Sequence, residues 1–150
     1  MLLAIPPTYA AGPIAPVTVC EVLARLPSYE GKDLAVIGRY SFRKDGRWVG
    51  EQSCDTPGAA PPVLWLVEDA GAGPKPPDDF ELDAAALNRK FADMIKRTAL
   101  GKFRFGTADY DRWAVVYGRI AARKGNDAAK APADLMFRGS GVVIFLTTEH

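Results

Sequence analysis

Few side chains in this 150-residue chain combine the types and spacing that covalent catalysis needs. A serine or cysteine nucleophile requires a general base within hydrogen-bond reach, most often a histidine. The single histidine, His150, is the last residue, so we expect no Cys-His or Ser-His pair. The segments "GKFRFG" and "GRIAARKG" lack the spacing of a loop that binds phosphate groups. The sequence therefore predicts that the protein is not an enzyme.

Four carboxylates lie close together in the sequence and could suggest a metal site. They are Asp78, Asp79, Glu81 and Asp83. A calcium-binding loop needs ligands at regularly alternating positions and a glycine at its sharp turn, and this segment has neither. Acidic residues that precede a helix are also stabilised by the positive end of the helix dipole. We therefore expect no metal site and no cofactor.

The two cysteines, Cys20 and Cys54, fit a structural disulfide better than a metal or redox site. Their spacing matches neither the zinc-ligand patterns nor a C-x-x-C motif. In an oxidising compartment we expect them to form a disulfide. In the cytosol the alternative is two buried thiols.

The first 16 residues, "MLLAIPPTYAAGPIAP", are rich in proline and indicate neither a helix nor a strand. The small residues around "TYAAG" are typical of a signal-peptidase site, although the charged start and the long apolar centre of a signal peptide are missing. We interpret the segment as the back half of a signal peptide, with a flexible proline-rich arm as the alternative. Together with the expected disulfide, this favours a periplasmic or secreted location over a cytoplasmic one.

The composition narrows the classes of partner. Nineteen basic and eighteen acidic residues leave a net charge of +1, whereas proteins that bind nucleic acid usually carry a clear basic excess. No apolar run approaches the roughly 18 residues of a membrane-spanning helix. Nucleic acid is therefore a less favoured partner, and we expect no membrane span.

The hydrophobic pattern predicts a mainly β domain with one main helix. A short helix precedes three strands, a helix that Asp83 caps follows them, and two more strands end the chain. The predicted strands are residues 33–43, 48–54, 63–67, 112–123 and 142–146. Three strands, a helix and two strands are the order of the OB-fold, a five-stranded Greek-key barrel. We expect residues 17–150 to form one such domain.

Two similar segments, "DLAVIGRYSF" and "WAVVYGRIAA", fall in the first and fourth predicted strands. Each contains a central glycine, Gly38 or Gly118, followed by an arginine. In an OB barrel these two strands pair to close the sheet, and a glycine relieves crowding where a strand bends. The repeated pattern therefore indicates barrel closure, with both arginines facing away from the core.

The segments "YEGKDLAVIGRYS", "EQSC" and "VVYGRI" resemble small exported bacterial OB-fold proteins, those grouped with the tRNA-anticodon-binding-like OB domains. The resemblance covers residues 17–146 and consists of strand pattern and cysteine placement. It implies the fold. It carries over no functional residue, because no diagnostic catalytic or binding motif is shared.

OB-folds bind ligands on the face of their second and third strands, between the loop that joins strands one and two and the loop that joins strands four and five. In this chain those loops are "RKDGRW" and "RKGNDAAKAPADLMFRGSG". From these two loops we predict a basic patch that also contains a tryptophan. Lys130, Trp65 and Phe137 are expected nearby. The patch consists of Arg43, Lys44, Arg47, Trp48, Arg123, Lys124 and Arg138.

The predicted patch is open to a plainer interpretation, since loop lysines and arginines are usually only solvated and Trp65 lies in an apolar strand typical of a core. The sequence favours a non-enzymatic exported OB-fold module that binds a partner protein or an envelope glycan. The alternative is a single-stranded nucleic-acid-binding domain, because aromatic rings beside basic groups are what such ligands use.

Overall fold

The computed structural model describes residues 13–44, 46–51, 54, 62–69, 71, 73–76, 81–97, 110–125, 131–138 and 143–145. Most of the predicted leader, residues 1–12, lies outside them. The strands are β1 (Val17–Thr18), β2 (Asp33–Arg43), β3 (Gly46–Gly50), β4 (Val63–Glu68), β5 (Tyr110–Ala122), β6 (Ala133–Phe137) and β7 (Val143–Phe145). The helices are α1 (Val19–Ala24), α2 (Leu26–Tyr29) and α3 (Ala84–Arg97).

Five of these strands close into a barrel. β2 pairs antiparallel with both β3 and β5. β4 pairs antiparallel with β3 and parallel with β6, and β6 then pairs antiparallel with β5. This strand order, with one parallel pair and with α3 between β4 and β5, is that of an OB-like fold. The predicted fold class is confirmed.

The fifth barrel strand is β6 and not the segment that the sequence predicted. Residues 142–146 do contain a strand, β7, but it pairs with β5 beyond the end of β6 on the same edge. The assignment of "ADLMF" to a loop was wrong. Its alternate residues Ala133, Leu135 and Phe137 are buried, and the parallel ladder with β4 holds it in the barrel. That pairing connects distant segments and is not visible in the local pattern.

The expected closure between the first and fourth barrel strands is confirmed by ten consecutive pairs of β2 and β5. Gly38 and Gly118 lie where another chain segment comes close. A Cβ at Gly38 would lie 2.7 Å from Cγ2 of Val49. A Cβ at Gly118 would lie 2.5 Å from the Met136 carbonyl oxygen and 2.9 Å from Cδ1 of Leu135. Both glycines are therefore required by the approach of the neighbouring strand.

Helix α3 begins where the sequence predicts. Oδ1 of Asp83 accepts a hydrogen bond from the Ala86 backbone N–H at 3.1 Å, which is an N-terminal cap. The apolar side of the helix packs on the core, and the Phe91 ring meets the Trp113 ring edge-on at 5.5 Å. None of the helices in the described part of the chain is long and apolar enough to cross a membrane.

Helix α1 is fixed to α3 and to the end of β3. Thr18 and Glu21 form a capping box, and Glu21 also accepts a hydrogen bond from Lys90 at 2.8 Å. Burial alone would raise the pKa of Glu21, but the hydrogen bonds from Lys90 and the Thr18 backbone outweigh it and lower the pKa. A disulfide joins Cys20 to Cys54. The N-terminal segment is thus held to the segment after β3 by a covalent bond and to α3 by an ion pair.

We expect Gly118→Ala to lower the free energy of unfolding by about 1–3 kcal/mol, because the new methyl group overlaps the β6 backbone. Denaturant titration measures the difference. Gly71→Ala is the matched control, since a Cβ there would meet only Asp69 at 3.4 Å. Equal stability of the two variants would contradict the close approach at Gly118.

Replacing both Cys20 and Cys54 with serine should lower the free energy of unfolding by about 3–4 kcal/mol, because the unfolded chain loses a cross-link. Denaturant titration of the oxidised wild type, the reduced wild type and the double variant measures this loss. The reduced wild type should match the variant. An unchanged unfolding midpoint on reduction would show that the cross-link contributes nothing.

Candidate ligand-binding face

The outer side of β3, β4 and β6 carries a row of cross-strand neighbours. Trp48 of β3 lies opposite Trp65 of β4, which lies opposite Asp134 of β6. The adjacent residues Val49 and Leu64 are fully buried, whereas both tryptophans are half-buried. Because successive side chains of a strand point to opposite sides, the row faces away from the barrel interior. This is the face on which OB-folds bind their ligands.

The two indole rings of the row stack on each other. Their centroids are 5.1 Å apart and their planes differ by 16°. Gly46 gives Trp65 the space that it needs, since a Cβ at Gly46 would lie 2.6 Å from Cζ2 of Trp65. The φ of Gly46, +148°, is also a value that residues with side chains rarely adopt. The stack therefore depends on glycine at this position.

Arg123 and Asp134 extend the row on the β6 side. The guanidinium carbon of Arg123 lies 5.5 Å from the centroid of the Trp65 ring, a cation–π arrangement. Its Nε donates a hydrogen bond to Oδ1 of Asp134 at 2.7 Å, and the side chains are 17% and 25% exposed. We call Trp48, Trp65, Arg123 and Asp134 the tryptophan face. Its groups are held in place before any ligand binds.

Arg47 and Arg138, both predicted for the patch, lie instead at one end of the barrel. The Arg47 guanidinium carbon is 5.2 Å from the Phe137 ring centroid, and its Nη2 is 3.5 Å from Oε1 of Glu68. Nε of Arg138 donates a hydrogen bond to the Gly73 carbonyl oxygen at 3.1 Å. The prediction that Arg138 lies in the loop between barrel strands four and five was wrong, because it follows the fifth strand, β6.

The remaining basic residues of the predicted patch do not form a single cluster. Lys44 and Lys124 are exposed, the first just before β3 and the second before β6. These positions are at opposite ends of the strands, since β3 and β6 begin at opposite ends of β4. Arg43 is the last residue of β2, and Lys130 lies outside the described residues. The structure therefore brings only Trp48 and Arg123 of the predicted patch onto the tryptophan face, among the residues it describes.

Two members of the face were not identified as site residues from the sequence. The prediction favoured a core position for Trp65, but the strand alternates, with Leu64 and Leu66 buried and Trp65 facing outward. Residues 63–67 are all apolar, so this alternation of buried and outward-facing side chains is visible only in the structure. Asp134 belongs to the segment taken for a loop, so no local signal related it to Arg123.

A second ion pair lies further along the outer surface. Nε of Arg119 donates a hydrogen bond to Oδ1 of Asp33 at 2.7 Å, and this bond raises the pKa of Arg119. Burial and then the Asp33 charge raise the pKa of Tyr117, so its phenol is neutral at physiological pH. The arginines of these two pairs, Arg119 and Arg123, are thus each matched by a carboxylate.

In the described part of the chain, no three His, Cys, Asp or Glu side chains are close enough to hold a metal ion. Asp78 and Asp79 lie outside that part. Comparison of the chain with protein-family models, curated proteins and solved structures finds no match. The OB-like fold is therefore assigned from strand order and pairing, and the tryptophan face from its geometry.

We expect Trp48→Phe and Trp65→Phe each to abolish the exciton couplet that two closely stacked indoles give in far-ultraviolet circular dichroism. Each substitution removes one of the coupled rings while keeping an aromatic side chain in place. Arg123→Gln is the control, because it leaves both rings and should leave the couplet. A couplet that persists in either tryptophan variant would contradict the stack.

Proposed function

We propose that this protein is a non-enzymatic binding module of the OB-like fold, exported to the periplasm or secreted, whose ligand lies on the tryptophan face. The observation that carries the proposal is the stacked, half-buried pair of Trp48 and Trp65 on the second and third barrel strands. Aromatic rings supply a large contact area, and their polar edges also form hydrogen bonds. The candidate ligands are a partner protein and a glycan of the cell envelope.

The disulfide between Cys20 and Cys54 supports export. Disulfides persist in the periplasm and outside the cell, whereas cytosolic thiols are kept reduced. The cytoplasmic alternative would require both cysteines to be reduced in the native protein. Export also agrees with the interpretation of residues 1–16 as the end of a signal peptide.

A single-stranded nucleic-acid-binding domain is the second candidate, in keeping with the resemblance to the tRNA-anticodon-binding-like OB domains. The arginine next to stacked indoles favours it, because bases stack on such rings beside cations. Against it, Arg123 is paired with Asp134 and Arg47 with Glu68. Phosphate binding depends on cations that are not already neutralised, so we place this candidate second.

Trp48→Ala should reduce co-sedimentation of the protein with the cell-envelope fraction by at least about tenfold, as expected for a central aromatic anchor. Phe42→Ala is the matched control, since Phe42 is an aromatic side chain 51% exposed at the end of β2. Its envelope binding should remain close to that of the wild type. An equal effect of the two substitutions would contradict binding through the tryptophan face.

Export is tested separately by the intact mass of the protein expressed with its upstream gene region, with and without reduction and alkylation. We expect a chain that has lost its leader and contains the Cys20–Cys54 bond. Two free thiols on an unprocessed chain would contradict export and make oligonucleotides the first ligands to test.

A further inference from the structure

The polar atoms of the tryptophan face include both donors and an acceptor. Neither indole N–H of Trp48 and Trp65 donates a hydrogen bond within the described part of the chain. Neither is among the buried polar atoms without a partner there, so both reach solvent. Oδ1 of Asp134 accepts from Arg123, while its Oδ2 accepts no hydrogen bond from the described residues. Two donors and one acceptor therefore border the exposed ring edges.

The charges of the face do not suit a polyanion. The Arg123 guanidinium is 2.7 Å from Oδ1 of Asp134, and that carboxylate would repel a phosphate group that approached the same guanidinium. Arg119 on the same outer surface is likewise paired with Asp33. Binding of nucleic acid gains affinity from cations that replace released counterions. Because these arginines are already paired with carboxylates, they add little to the affinity for a polyanion.

An uncharged polyhydroxylated ligand suits the same groups. A hydroxyl both donates and accepts, so it can bond to Oδ2 of Asp134 and to an indole N–H. The C–H groups of a sugar ring can contact, through weak interactions, the ring edges that the stack leaves exposed. The successive spacings of 5.1 Å from Trp48 to Trp65 and 5.5 Å from Trp65 to Arg123 form an extended row. OB-folds accommodate oligosaccharides on this face.

We infer that the ligand of the tryptophan face is an uncharged, extended glycan, with Asp134 accepting from its hydroxyls and the indoles contacting its C–H groups. This inference rests on the proposed function, namely that the tryptophan face is a binding site. Asp134 is the specificity-determining residue, because its charge favours hydroxyl donors and disfavours anions.

The test uses the purified, oxidised full chain with two kinds of probe, an array of neutral oligosaccharides and a twelve-nucleotide oligo(dT). Asp134→Asn keeps the side-chain shape and removes the charge that compensates Arg123. We expect it to weaken binding of the neutral glycan about tenfold, as for loss of a charged hydrogen-bond acceptor. Trp48→Ala should weaken it at least as much, and wild-type affinity should be nearly independent of salt.

Glu68→Gln is the matched control for Asp134→Asn, because it makes the same change of charge at the end of the barrel, where Glu68 pairs with Arg47. It should leave glycan affinity unchanged. If both variants lost glycan affinity to the same extent, the net charge and not Asp134 would determine the affinity. That result would overturn the inference.

Two further outcomes separate this inference from the proposed function. If no neutral glycan binds, or if oligo(dT) binds more tightly to Asp134→Asn and loses affinity steeply with salt, the glycan assignment is overturned. The proposed function survives that result if envelope binding still depends on Trp48, whereas oligo(dT) binding that depends on Trp48 would favour the second candidate, the nucleic-acid-binding domain. If glycan binding is found but Trp48→Ala and Asp134→Asn leave it unchanged, both the inference and the proposed function are wrong.

Discussion

The pairing of β2 with β5 is the constraint on which the rest of this structure depends. Ten consecutive residue pairs join two strands that are distant in sequence, and they turn an open sheet into a barrel. Each of the two strands also has a glycine, Gly38 or Gly118, where β3 or β6 approaches so closely that no Cβ fits without displacement. Once β5 is in place, β6 can pair with its far end and with β4, and the barrel interior is filled by buried apolar side chains.

Closure also assembles the tryptophan face, because that face draws on three strands and on the segment after β5. Trp48 and Trp65 become neighbours through the pairing of β3 with β4. Asp134 joins them only through the parallel pairing of β6 with β4, and Arg123 reaches Trp65 from the end of β5. Ring stacking, the cation–π contact and the ion pair then fix the groups relative to one another. Because these side chains are already ordered, binding a ligand costs less conformational entropy.

The attachments of the N-terminal segment do not involve the four residues of that face. Cys20 is bonded to Cys54, its backbone N–H donates to the buried Glu51, and Glu21 is paired with Lys90 of α3. These contacts hold α1 to α3 and to the segment after β3. Cross-linking the chain there raises stability mainly by restricting the unfolded state. The attachment of α1 therefore does not depend on the half-buried tryptophans on the outer side of β3 and β4.

The sequence by itself determined the type and order of most elements, since period-two alternation, the Asp83 cap and the central glycines are local signals. It also indicated Trp48, Arg123 and the cysteine pair. It misplaced the fifth barrel strand, favoured a core position for Trp65, and grouped Arg47 and Arg138, whose side chains contact Phe137 and Gly73 at one end of the barrel, with Trp48 and Arg123. Only the tertiary structure decided these points, because strand pairing and the direction of a side chain at the barrel surface depend on contacts between segments far apart in the chain.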